Sequence, residues 1–133
     1  MHFRKTQDII QGEKKEKELY DIIIKQFKPN TLTKTEQYHP LDYYDDVNTY
    51  YEIKSRNNYL RTYPDTMIGN NKFEYVKKHK LECYFIINFF DGSYYYKYDE
   101  NDEFEIKIGG RNDRGEYEYK PYVYIPINKL IKI

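Results

Sequence analysis

Two residues of one predicted strand carry groups that could act on a phosphodiester bond. Glu52 and Lys54 lie two positions apart in the strand-like run 51–56. Because successive side chains of a strand alternate between its faces, the carboxylate and the amine point the same way. Such groups can hold a divalent cation and the water that it activates. Glu-x-Lys alone is a weak signal, since any amphipathic strand with one charged face produces it.

A hairpin just upstream supplies a second carboxylate. The turn-forming sequence Asp-Val-Asn at 46–48 separates two segments rich in aromatic residues. With a three-residue loop centred on Val47, Asp42 lies directly opposite Glu52, with Cβ atoms roughly 4.5–5.5 Å apart. Two carboxylates so close repel each other unless a cation lies between them, and Mg²⁺ suits carboxylate oxygens. A slip of one residue would send Asp42 to the other face.

A third acid lies in the N-terminal segment, where residues recur at three- and four-residue intervals as on one face of a helix. Glu16 interrupts this stripe, and a carboxylate that faces a core is costly unless it is paired or bound to metal. Glu13 competes for the same role, and either acid could instead lie solvated at the edge of the stripe. The stripe comprises Ile9, Gly12, Glu13, Glu16, Leu19, Tyr20, Ile23 and Phe27.

Glu16, Asp42, Glu52 and Lys54 together resemble the active-site pattern of the PD-(D/E)XK nuclease superfamily. That family places a Glu on its first helix, an Asp on the second strand of a hairpin and (Asp/Glu)-x-Lys on the next strand. Residues 52–54, Glu-Ile-Lys, match the last motif fully.

The match has one departure. Glu16 follows Gly12 by four residues, a spacing common in the family, but Leu41 precedes the Asp and Pro40 stands one position earlier. The proline is the loosest part of the family pattern. The resemblance extends over about residues 11–90.

The resemblance implies a metal-dependent DNA endonuclease. Asp42 and Glu52, with the Ile53 carbonyl, would ligate Mg²⁺ or Mn²⁺, and Glu16 would bind a second metal or its water. Lys54 would orient or deprotonate the attacking water and stabilise the pentavalent phosphorus.

A small form without a recognition module suggests structure-specific cleavage in repair, recombination or junction resolution, as a homodimer if paired cuts are made. The alternatives are a catalytically inactive nucleic-acid-binding domain of the same fold and a protein-interaction domain.

Composition sets the outer limits. The chain has 133 residues, 22 basic and 22 acidic, so we expect one domain and only a local DNA footprint. That footprint would comprise Arg56, Arg61, Lys72 and Arg111. The 18 tyrosines and the absence of Ala favour an AT-rich genome over selection for base stacking. One cysteine excludes an intramolecular disulfide, and without a signal peptide or a membrane-spanning run we expect an intracellular protein.

The predicted fold is α/β (α+β), with a central mixed sheet flanked by helices. An αβββαβ core occupies about residues 6–98 and an antiparallel β extension about 99–133. We expect a helix over 6–27, a strand over 31–37, the hairpin, and a second helix capped by Asp65 or Thr66 that runs to about Lys80. A buried strand over 82–90 would lie parallel to the strand of Glu52. Further strands are expected over 93–98, 103–108 and 116–125. The loop 109–115 could bind phosphates or simply connect two strands.

Overall fold

The computed structural model describes residues 7–109 and 120–133, with side chains described from residue 14 onward. Helix α1 spans Gln7–Phe27, as its periodicity predicted, and buries Leu19 and Ile23. It ends where Lys28 takes a φ of 49° immediately before a proline. No helix within the described ranges is long and apolar enough to cross a membrane.

A six-stranded mixed sheet forms the centre of the molecule. Its strand order is β1-β2-β3-β5-β6-β9. β3 and β5 are parallel, as predicted, and every other neighbouring pair is antiparallel. The strands span Leu32–Lys34 (β1), Tyr43–Asp45 (β2), Thr49–Ser55 (β3), Glu82–Phe89 (β5), Gly92–Lys97 (β6) and Ile131–Lys132 (β9).

A second, three-stranded antiparallel sheet has the order β4-β8-β7, with β4 at Asp65–Gly69, β8 at Lys120–Pro126 and β7 at Glu105–Gly109. It corrects the prediction that Asp65 or Thr66 caps the second helix. Thr66 and Ile68 are β-branched and buried, and they pair with β8, so this segment is a strand. Helix α2 begins only at Asn70 and ends at His79.

The elements stack in three layers. α1 covers one face of the larger sheet through a cluster that includes Ile23, Tyr51 and Ile86. α2 and the smaller sheet cover the other face through a cluster that includes Val76 and Phe85. Strand β3 therefore sends alternate side chains into two different interiors.

The β2–β3 hairpin has the predicted three-residue turn. Tyr43 pairs with Tyr51 and Tyr44 with Tyr50, so the turn occupies residues 46–48. Asn48 adopts a φ of 60°, a conformation that Asn tolerates better than most residues.

Asp45 holds the turn from inside. Its side chain is buried, and Oδ1 accepts hydrogen bonds from the backbone N–H groups of Val47 and Thr49 at 3.0 and 2.8 Å. Oδ2 accepts a 2.9 Å bond from the Tyr51 hydroxyl. These bonds fix the three-residue turn and therefore the pairing of Tyr44 with Tyr50 and of Tyr43 with Tyr51.

We expect Asp45→Ala to lower the free energy of unfolding by about 2–3 kcal/mol, because it leaves buried donors without an acceptor. Asp45→Asn keeps an acceptor for the turn and should cost about 1 kcal/mol. Denaturant unfolding measures both. Glu36→Ala, at an exposed position outside the turn, is the control and should change stability by less than about 0.5 kcal/mol. Equal losses at both positions would contradict this account of the turn.

Candidate active site

Glu52 and Lys54 lie on the face of β3 that α2 covers. They alternate with Tyr51 and Ile53, which pack in the cluster under α1. The Lys54 ammonium lies 3.7 Å from Glu52 Oε2. The side chain of Glu52 is 1% exposed and that of Lys54 is 37% exposed, so the carboxylate is interior and the amine reaches towards solvent.

Asp42 stands beside this pair. Asp42 directly precedes Tyr43, which pairs with Tyr51, and its carboxylate is close enough to Glu52 to raise the pKa of that residue. Its backbone N–H donates to the Tyr51 carbonyl at 3.1 Å, and its Oδ2 accepts a 2.8 Å hydrogen bond from the Ile53 N–H. The carboxylate is thereby held against the backbone of β3.

The segment before Asp42 is fixed by side chains. Thr35 donates from its backbone N–H and its hydroxyl to the Asp42 carbonyl, at 2.9 and 3.0 Å. His39 Nδ1 accepts a 3.0 Å hydrogen bond from the Leu41 N–H, and its ring stacks on Tyr50. The segment that precedes Asp42 is therefore held by hydrogen bonds from Thr35 and to His39, and by the contact of His39 with Tyr50 in β3.

Lys72 of α2 enters the site from the opposite layer. Its ammonium lies 2.5 Å from Glu52 Oε2 and donates a 2.6 Å hydrogen bond to the Pro40 carbonyl. Lys72 and Glu52 form an ion pair, but the angles at their atoms do not meet the geometry of a hydrogen bond. Neither oxygen of that buried carboxylate accepts a well-formed hydrogen bond from a described residue.

Burial and the neighbouring carboxylate of Asp42 raise the pKa of Glu52 to about 8, against the opposing effect of Lys72. The pKa of Lys54 is lowered, first by burial and further by the positive charges of Lys72 and Arg56. A carboxyl group that resists ionisation and an amine that resists protonation thus stand side by side. Each is displaced towards neutral pH, where proton transfer is most efficient.

Glu16 lies on the α1 side of the sheet. It accepts a hydrogen bond from the Tyr43 hydroxyl at 3.2 Å and forms an ion pair with Lys34, which lowers its pKa. Its side chain is 50% exposed, at the edge of the helix stripe. Glu16 and Asp42 both line a cavity of about 460 Å³ between α1 and the sheet, together with Ile53.

Other predicted residues have different outcomes. Arg61 is exposed on the 3-10 helix Leu60–Thr62, and Arg56 donates to the Met67 carbonyl. Arg111 lies outside the described residues, as does the side chain of Glu13. Among the side chains that are described, no three His, Cys, Asp or Glu groups converge as a metal site, and Asp42 and Glu52 are a neighbouring pair of carboxylates.

The whole arrangement can be set beside known families. A family model described as "Phage putative PDDEXK endonuclease" matches residues 2–133. The chain belongs to this family. The resemblance inferred from four residues is confirmed, and the nuclease assignment stands at that general level. Comparisons with curated proteins and with solved structures gave no match.

Within this PD-(D/E)XK chain, Lys72 is the residue whose position sequence reasoning missed. It was predicted as a DNA contact, whereas the structure places its ammonium against the buried Glu52. A signal was present, because Lys72 precedes the buried Val76 by four residues and so shares its helix face. A lysine on a core-facing stripe needs an acidic partner.

The raised pKa of Glu52 predicts how stability depends on pH when divalent metal is removed by chelator. Between about pH 4.5 and pH 8 the folded state binds the Glu52 proton and the unfolded state has lost it, so stability falls as pH rises. The expected fall is a few kcal/mol, since each unit of pKa difference corresponds to ~1.4 kcal/mol. Denaturant unfolding from pH 5 to pH 8 measures it.

Glu52→Gln should remove most of that slope and be the more stable protein at pH 8. Glu82→Gln, at an exposed position of β5, is the matched control and should retain the slope of the native chain. Parallel pH profiles for the native chain and Glu52→Gln would contradict the assignment of this proton.

Proposed function

We propose that this chain is a metal-dependent endonuclease that hydrolyses phosphodiester bonds in DNA. The observation that carries the proposal is the buried carboxylate of Glu52, whose oxygens lack well-formed hydrogen bonds and which faces Asp42 beside Lys54. A buried carboxylate beside a second carboxylate is costly unless cations compensate the pair, and Lys72 and Lys54 are the cationic side chains nearest Glu52 among the described residues.

The donor set fits a hard divalent cation. Carboxylate and carbonyl oxygens are the ligands that Mg²⁺ and Mn²⁺ prefer. Asp42, Glu52 and the Ile53 carbonyl would hold the ion, and Glu16 would serve a second ion or its water from the α1 side. When bound, the ion supplies a lowered pKa for coordinated water and neutralises charge on the phosphate.

Lys54 acts on the attacking water in this proposal. Its lowered pKa favours a neutral amine, which can take the proton of the water at Nζ. Once protonated, the ammonium can stabilise negative charge on the phosphate oxygens. Its partial exposure leaves a path for that proton to reach solvent.

The DNA contacts are proposed from local charge. Arg56 and Arg61 follow β3 directly, and Arg111 completes the proposed set, whereas Lys72 is left out because its ammonium lies against Glu52. The chain has equal numbers of acidic and basic residues, so binding must come from such a patch. Structure-specific cutting in repair, recombination or junction resolution is the refinement we favour. A DNA substrate implies action inside the cell that holds it.

Cleavage assays test this directly. We expect Mg²⁺ or Mn²⁺ to support cutting of plasmid and branched DNA, and chelator to stop it. Asp42→Asn, Glu52→Gln and Lys54→Ala should each lower the rate at least about 100-fold, the scale of losing a general base or a metal ligand. Glu16→Gln should have a smaller effect, because Glu16 is half exposed and paired with Lys34.

Two controls separate this function from its alternatives. Glu82→Gln and Lys97→Ala, an exposed ion pair at the other end of β5, should cut like the native chain. A catalytically inactive binding domain would bind DNA with a steep salt dependence and cut nothing. A protein-interaction domain would respond neither to DNA nor to metal.

We further propose a homodimer through strand β7. In the part of the chain that is described, β7 is the outer strand of the smaller sheet, and it exposes Ile106 and Ile108. Antiparallel pairing with a second copy about Ile106 would set Glu105 opposite Lys107 of that copy, which matches charge and apolar surface. Exposed edge strands of this kind invite strand pairing.

Light scattering over a concentration series tests the dimer. We expect twice the chain mass for the native protein and a shift towards the monomer for Ile106→Glu, because a buried charge would disrupt the apolar contact. Ile131→Glu, on β9, the outer strand of the larger sheet, is the control and should stay dimeric. A monomer at every concentration would rule the dimer out.

A further inference from the structure

The exposed aromatic rings of the described residues lie in loops that follow strands of the larger sheet. Among the described side chains, four aromatic residues are classed as exposed: Tyr38 (91%), Phe90 (61%), Tyr59 and Tyr63 (59% each). The other described rings are buried or half-buried. Exposed apolar groups gathered in one place mark a binding surface more often than scattered ones do.

Two of these loops begin at the carboxyl ends of β3 and β5, and β3 is the strand that carries Glu52 and Lys54. β3 and β5 are parallel, so their carboxyl ends meet, and β2 begins at the same edge because it is antiparallel to β3. Tyr38 precedes β2, Tyr59 and Tyr63 follow β3, and Phe90 follows β5. Tyr59 and Phe90 therefore lie together where β3 and β5 end.

Tyr59 and Phe90 form a firmly held pair. Their ring centroids lie 5.4 Å apart with planes at 74°, an edge-to-face contact. The Phe90 N–H donates to the Asn58 carbonyl at 3.0 Å, and the Leu60 N–H donates to Asp91 Oδ1 at 2.9 Å. The two loops are thus tied together, although both rings remain more than half exposed.

The distance from the catalytic lysine suits a nearby nucleotide. Lys54 pairs with Ile87, and Phe90 lies three residues further along the same strand direction. At ~3.3 Å per residue this is about 10 Å along the sheet, comparable to three base steps of DNA. Arg61, exposed between Tyr59 and Tyr63, adds a positive charge that can contact phosphate.

We propose that the Tyr59–Phe90 pair stacks one ring on an unpaired base within about three nucleotides of the cut phosphate, while the second ring supports the first edge to face, so that the enzyme prefers branched, gapped or flapped DNA to continuous duplex. This inference rests on the proposed nuclease function. An aromatic ring can stack on a base only where one face of that base is uncovered. In a continuous duplex both faces are covered by neighbouring bases, so the pair distinguishes interrupted from intact DNA.

The test is a ratio of rates. The native chain should cut a flapped duplex with a higher kcat/KM than an intact duplex of the same sequence. Tyr59→Ala and Phe90→Ala should each lower that ratio on the order of tenfold, because one stacked base is lost. Tyr59→Phe keeps the ring and should retain the ratio. Val47→Ala, an exposed apolar residue at the opposite end of the hairpin, should leave both rates unchanged.

A binding measurement keeps this inference separate from catalysis. A fluorescent adenine analogue in the unpaired segment, with chelator present, should be quenched by the native chain and by Tyr59→Phe but not by Tyr59→Ala. If the native chain cuts DNA but the ratio and the quenching survive both alanine changes, the stacking is wrong and the nuclease stands. If it cuts nothing yet quenches through Tyr59, the proposed function fails and the stacking stands. Absence of quenching by the native chain overturns the stacking.

Discussion

Glu52 carries its carboxylate into the layer between the larger sheet and α2, where an ionised carboxylate is stable only beside a cation. The surrounding elements meet this constraint together. α2 extends Lys72 to it, β3 holds Lys54 next to it, and the residue before β2, Asp42, lies close to it. Asp42 adds a like charge beside Glu52, and Lys54 and Lys72 supply the opposing positive charges.

The parts of this site that the sequence predicts are those decided by short-range chemistry. A three-residue turn with Asp and Asn fixes the register of Tyr43 with Tyr51, and strand alternation directs Glu52 and Lys54 to one face of β3. The periodicity of α1 is local in the same sense. β4 is different, because Ile68 pairs with Val123 in a distant part of the chain. The residues that neighbour Ile68 in sequence therefore do not indicate this pairing.

Side chains whose role depends on packing between layers escape prediction for the same reason. Lys72 meets Glu52 because α2 lies across β3, and Glu16 meets Lys34 because α1 lies across β1. The consequence for Glu16 is chemical. Its pairing with Lys34 on the α1 face, while Glu52 lies on the α2 face, makes the two acids unequal partners for a cation, with Asp42 at the boundary between them.

The tyrosine content raises a last point about cause. An AT-rich genome can account for the number of tyrosines, 18. Codon bias acts on every position alike, however, so it does not determine which tyrosines are exposed. Most of the described rings fill the interiors on both faces of the larger sheet, where they replace scarce aliphatic side chains. The rings left exposed lie in loops, and two of them, Tyr59 and Phe90, lie where β3 and β5 end; β3 is the strand that carries Glu52 and Lys54. Composition therefore explains how many aromatic residues there are. The exposure of Tyr59 and Phe90 at the ends of β3 and β5 requires a reason connected with what binds there.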